Sequence, residues 1–182
     1  PGATGVFNAP AIGDVTGDGR NEAVFGAWDH YIYVVDGDCR VLDRFENKDS
    51  VWSAPALRDV DGVAGAEIFI GGDATAGGDP HSGGYFRSLT WDGAKLVQRW
   101  VRLSAETFQS AAAIGDVNRD GGVEVVTGSG TARANSETSP PFCSLVSHMM
   151  QRPPFPRPSN VKTTPASFAH GCPRGHTCRG PY

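Results

Sequence analysis

A stretch of sixteen residues recurs three times in this chain, as AIGDVTGDGRNEAVFG (11–26), ALRDVDGVAGAEIFIG (56–71) and AIGDVNRDGGVEVVTG (113–128). Each copy is a short apolar segment, a nine-residue acidic loop and a second apolar segment. Asp14, Asp59 and Asp116 open the loops, and Glu22, Glu67 and Glu124 close them. A repeat of this kind constrains the fold before any local propensity does, because one supersecondary unit must serve at every copy. The loops place oxygen-bearing side chains at positions 1, 3, 5 and 9, with glycine at position 6 in two copies. A hard cation such as Ca²⁺ asks for several oxygens, a backbone carbonyl at position 7 and a closing carboxylate able to bind through both oxygens. The glycine supplies the positive φ of a sharp turn.

The first loop offers Asp14, Thr16, Asp18, the Arg20 carbonyl and Glu22; the third offers Asp116, Asn118, Asp120, the Gly122 carbonyl and Glu124. Asp, Asn and Gly are also ordinary turn residues, but three copies in phase favour a metal. Magnesium fits less well, since it demands tighter octahedral geometry and keeps more water. The second loop retains Asp59, Asp61 and Glu67, yet has Val63 at position 5 and Ala64 at position 6. With one oxygen and the turn glycine gone, it is expected to bind weakly or not at all.

Strand signals surround the loops. In the first unit they cover Asn8 to Val15, Glu22 to Ala27, His30 to Val35 and Val41 to Glu46, with a turn at Asp36-Gly37-Asp38. The second unit repeats the plan over Ser53 to Val60, Glu67 to Gly72, Tyr85 to Trp91 and Lys95 to Leu103, with a turn at Asp92-Gly93. Short β-branched and aromatic runs between Gly and Asp are hairpin signals. Successive loops start 45 and then 57 residues apart (Asp14, Asp59, Asp116). Four strands per such interval predict an all-β fold, a partial β-propeller with blades at 1–49 and 50–104 and the start of a third at 105–128.

The pattern D-x-[DNT]-x-D-G-x-x-E between apolar strands, followed by glycine, resembles the FG-GAP repeat of integrin-α-like propellers and the related VCBS-type repeats. GAWDHYIYVVDGDCRVL is similar to a quinoprotein-type blade. The resemblance covers about residues 5–128. It implies calcium in the loops, a secreted or cell-surface setting, and a part in adhesion, scaffolding or recognition of a protein or carbohydrate. The alternative it implies is the propeller of an enzyme, either quinoprotein-like or accessory to a catalytic domain such as a hydrolase. A propeller closes with at least four blades, so the remaining blades of the same propeller are expected as partners, and the chain as a fragment.

Composition narrows the classes further. The net charge is −4, with no basic patch interleaved with aromatics, which argues against nucleic acid. No apolar run approaches the roughly 18 residues of a membrane span. Before residue 129 there are 19 acidic and 10 basic residues; from Ser129 onward there are 1 and 6, together with 9 of the 13 prolines. This break sets off a Pro-rich tail at 129–182, expected to be disordered or to come from a shifted reading frame, because it interrupts a unit after its second strand.

Other features have plainer readings. GGDATAGGDPHSGG (71–84) is not followed by helix signals, so it reads as a long hairpin loop rather than a phosphate cradle. Its Asp73, Asp79 and His81 remain candidates for a ligand site, since loops on rigid scaffolds often carry function. Trp28, Trp52, Trp91, Trp100 and Phe108 read as packing residues, and His30 as a solvated turn. In the tail, His170, Cys172, His176 and Cys178 match zinc-ligand types, or a Cys172–Cys178 disulfide, but crowd together without surrounding strand or helix signals. No nucleophile elbow or positioned acid–base pair is present.

Overall fold

The computed structural model describes residues 5–74, 83–104 and 106–130, and every regular element among them is a strand. Strands β1 (Ala11–Gly13), β2 (Glu22–Gly26), β3 (Tyr31–Val35) and β4 (Val41–Glu46) form one four-stranded sheet in sequential order. Strands β5 (Ala56–Arg58), β6 (Glu67–Asp73), β7 (Gly84–Trp91) and β8 (Leu96–Ser104) form a second in the same order. A third unit contributes the hairpin β9 (Ala113–Gly115) and β10 (Glu124–Val126). All pairings are antiparallel. Among the described residues the sheets close into no ring or barrel. The tail from residue 131 and the loop residues 75–82, which include Asp79 and His81, lie outside the described residues.

The first strand of each unit is shorter than its apolar pattern predicts. Pro10 and Pro55 stand immediately before β1 and β5 and have no N–H to extend a ladder. Side chains take over the pairing there. Asn8 Nδ2 donates to the Gly26 carbonyl (3.1 Å), and Asn8 Oδ1 accepts from the Gly26 amide (3.4 Å). At the matching place in the next unit, Ser53 Oγ accepts from the Gly71 amide at 2.6 Å, and the Ser53 amide donates to the Gly71 carbonyl at 3.1 Å.

The sheets pack face to face. Val24, Ile32 and Val34 of the first meet Ile68, Ile70 and Leu89 of the second, with Val15, Val51 and Leu96 completing a buried cluster. The opposite face of the second sheet supplies Phe69 and Phe86, which pack with Phe108 and Val125 and with the half-buried Trp100 and Ile114. Alternation along β2 buries one face, whereas β6 is buried through Gly72 on both. β1 lies against β5, β5 against β9, and β4 against β8, so matching strands are neighbours.

The glycine that ends each of the first two copies has a steric reason. A Cβ on Gly26 would lie 2.1 Å from Val51 Cγ1, and one on Gly71 would lie 2.4 Å from Phe108 Cβ. Val51 and Phe108 hold the same place, five residues before β5 and β9. Each of these two units therefore leaves a notch that the approach to the next unit fills. The Val51 amide donates to the Ala27 carbonyl at 3.2 Å, and the Phe108 amide donates to the corresponding Gly72 carbonyl at 3.4 Å.

The aromatic residues divide. Phe108 is core, Trp100 sits about 6 Å from Phe69 and Phe86, and Trp91 backs the first cluster. Trp28 and Trp52 are half-buried and tilt against each other at 4.8 Å, and Phe7 stacks on Trp28 at 4.0 Å. Ile70→Ala, at a position only 1% exposed, is expected to lower unfolding free energy by about 2–5 kcal/mol. Ile12→Ala, at 71% exposure, should change it by no more than about 0.5 kcal/mol. Urea denaturation of the two variants checks both.

Candidate metal loops

The three loops bridge hairpins of identical register. Ala11 pairs with Val24, Ala56 with Phe69 and Ala113 with Val126, so each loop leaves and re-enters its sheet at the same point. The closing glutamates are buried: Glu22, Glu67 and Glu124 are 3%, 1% and 2% exposed. In each, one carboxylate oxygen accepts the amide of the loop's second residue (Val15, Val60, Val117) at 2.9 Å. Burying a carboxylate is costly unless donors or a cation compensate it, so this bond both orients the side chain and satisfies a loop amide.

Loops 1 and 3 have one conformation. Both take positive φ at positions 4 and 6: Gly17 and Gly19 in the first, Arg119 and Gly121 in the third. In both, the opening aspartate accepts the position-6 amide at 2.9 Å, and the position-5 aspartate accepts the position-7 amide at 2.8 Å. The predicted set Asp14, Thr16, Asp18, Arg20 and Glu22 thus lies on one tight turn, as does Asp116, Asn118, Asp120, Gly122 and Glu124. In loop 1 the hydroxyl oxygen of Thr16 is buried without a hydrogen-bond partner. It stands at position 3 of the loop, where a hard cation would take an oxygen ligand. In loop 3 the position-3 Asn118 instead donates through Nδ2 to Glu124 Oε1 at 3.2 Å.

Loop 2 departs from this form. Its positive φ values fall at positions 4 and 7, Gly62 and Gly65, because position 6 is Ala64. Gly65 is pinned by the first loop. Its φ is 102°, and a Cβ there would stand 2.6 Å from the Val15 carbonyl oxygen. The next residue, Ala66, donates its amide to the Asp14 carbonyl at 2.8 Å. Yet among the described residues it is Asp59, Asp61 and Glu67 whose carboxylate oxygens gather within 4.8 Å of one another, a group that could hold a metal ion. Sequence reading ranked this loop lowest and missed the residue beside it. Arg99 Nη1 lies 2.5 Å from Asp61 Oδ2 and 2.7 Å from Glu67 Oε1.

Electrostatics follow from those contacts. Burial pushes the Glu67 carboxyl above its usual range, against the pull of the Val60 amide and Arg99. Burial acts the same way on Asp61, but the Val63 amide and the Arg99 guanidinium outweigh it and hold that carboxyl below its usual range.

Among the described residues no metal-capable group includes His30 or Asp73. His30 takes positive φ (77°) at a turn, its carbonyl accepting the Asn47 amide at 2.7 Å and its Nε2 lying 3.9 Å from Asp49. Asp73 ends β6. His170, Cys172, His176 and Cys178 lie outside the described residues. Beside loop 1, a cleft of about 610 Å³ is lined by Thr16, Asp18, Glu22, Leu42 and Trp91, among others.

Glu22→Ala is expected to cost about 1–3 kcal/mol, because the Val15 amide loses its acceptor in a buried position. Asp38→Ala, at an exposed ion pair with Arg40, should cost no more than about 1 kcal/mol. Thermal melts in chelator check the pair, since the Glu22 effect does not depend on a metal.

No protein-family model matches this sequence, and no curated protein matches it either.

Proposed function

We propose that this chain is a calcium-stabilised FG-GAP-like repeat module, its two four-stranded sheets and third hairpin being blades of a β-propeller. The observation that carries the reading is the turn geometry shared by loops 1 and 3, each of which carries four oxygen-bearing side chains, one of them the orphaned Thr16 hydroxyl. The propeller half is supported by the contacts between successive units: Val51 fits the notch at Gly26 as Phe108 fits the one at Gly71, and β1, β5 and β9 lie side by side in order. A rigid array of this kind, with short loops presented at one edge, serves as a scaffold or as a surface for a protein or carbohydrate. Calcium-dependent loops suit a secreted or cell-surface protein.

An ion bound only by the folded state stabilises it by mass action, about 2.7 kcal/mol per site at a hundredfold excess over Kd. Saturating Ca²⁺ should therefore raise the melting temperature of the chain by several degrees. Asp18→Ala and Asp120→Ala should each remove part of that rise, and Asp59→Ala should leave it intact. Calorimetry in excess Ca²⁺ and in chelator makes the comparison, and identical melting curves for the unaltered chain would rule the calcium reading out.

A further inference from the structure

Loop 2 presents a contradiction. It has lost the position-5 oxygen and the position-6 glycine, yet it holds the tightest acidic group of the three loops. Three carboxylates within 4.8 Å of one another repel unless hydrogen-bond donors or a positive charge compensate them, and a positive charge does so most strongly. The chain supplies one. Arg99 Nη1 reaches Asp61 at 2.5 Å and Glu67 at 2.7 Å, the latter the distance of a charge-assisted hydrogen bond and the former closer still.

The backbone of β8 aims this side chain. Ser88 pairs with Trp100 and Leu89 with Gln98, which leaves Arg99 as the extra residue of a β-bulge. A bulge inserts one unpaired residue and redirects its side chain. The first sheet carries the same irregularity between β3 and β4: Val34 pairs with Asp43 and Val35 with Val41, leaving Leu42 as the extra residue. Leu42 lines the cleft beside Thr16, Asp18 and Glu22 of loop 1. The same backbone device thus brings a leucine to the loop with a full oxygen set and an arginine to the loop with an incomplete one.

We infer that Arg99 is the tethered cation of the second unit: its guanidinium takes the place of a metal ion between Asp61 and Glu67 and makes loop 2 independent of calcium. The inference deepens the proposed function and rests on it for what loops 1 and 3 hold, while the Arg99 contacts stand on geometry alone. A guanidinium suits the role because it is always charged and presents several donors in a fixed plane. The closing glutamate keeps its bond to the Val60 amide through one oxygen and meets Arg99 with the other.

The test uses the full chain in a background carrying Asp18→Ala and Asp120→Ala, which removes the position-5 ligands of loops 1 and 3. With Arg99 in place, this background should melt at the same temperature in chelator and in millimolar Ca²⁺. Adding Arg99→Leu, which copies the first sheet, should lower the melting point in chelator by more than about 5 °C. Millimolar Ca²⁺ should then restore at least half of the loss, because the freed carboxylates accept the ion. Arg102→Leu on the same strand should do neither. The inference is overturned if Arg99→Leu melts within about 1 °C of its parent in chelator, if Ca²⁺ restores less than half of its loss, or if the Arg99-containing background itself responds to Ca²⁺. Should Arg99→Leu fail to fold with or without Ca²⁺, Arg99→Lys decides: a folded, Ca²⁺-insensitive variant upholds the tethered cation, and any other result overturns it. The Ca²⁺ response of the unaltered chain is read separately. Its absence would defeat the calcium reading of loops 1 and 3 while leaving the Arg99 result standing.

Discussion

The buried carboxylate at the end of each acidic loop is the interaction on which the rest of the unit depends. Glu22, Glu67 and Glu124 start the second strand of their hairpins, face inward, and reach back seven residues to an amide at the start of the loop. That single bond fixes the loop's span, and with it the register of the hairpin. It also creates an electrostatic demand. A carboxylate this deep needs more than one neutral donor, and each loop answers differently: a second amide from Thr16 at Glu22, the Asn118 side chain at Glu124, and Arg99 at Glu67.

Above the hairpin, the units are joined by a notch and a plug. The glycines closing the first two repeats leave space that Val51 and Phe108 fill, and each plug's amide bonds back to the unit it leaves. The second sheet is covered on both faces as a result, by aliphatic residues on one side and mainly aromatic ones on the other. The first loop also leans on the second through the Asp14–Ala66 bond and the constrained Gly65, so packing at the sheets and packing at the loops reinforce the same spacing.

Much of this was legible in the sequence because the repeat carries it. The three in-phase Asp-to-Glu intervals locate the β1–β2, β5–β6 and β9–β10 hairpins, and β4 and β7 fall within a residue of their apolar runs. The lengths of β1 and β5 were not legible, because pattern alone does not say where a proline and an Asn or Ser side chain take over from the ladder. The role of Arg99 was hidden for a different reason. It lies 32 residues beyond Glu67, and only a one-residue bulge directs it to the loop. Bulges shift facing without leaving an apolar signature, so a reading based on alternation assigns such a residue to the wrong side. The distinction between loop 2 and its neighbours could be read from Val63 and Ala64, but not the reason that its carboxylates nevertheless come together.

The paired bulges at Leu42 and Arg99 have a consequence for how such a chain can change. The two bulges occupy the same place in their sheets but carry different residues, so the residue there sets the chemistry offered to the adjoining loop while the strand register stays the same. In an array whose stability is a sum of local and nearest-neighbour terms, that position acts as an adjustable dial for each unit. If loops 1 and 3 hold calcium as proposed, the residue at this position sets how far each unit's stability depends on the ion, while the units share the same architecture.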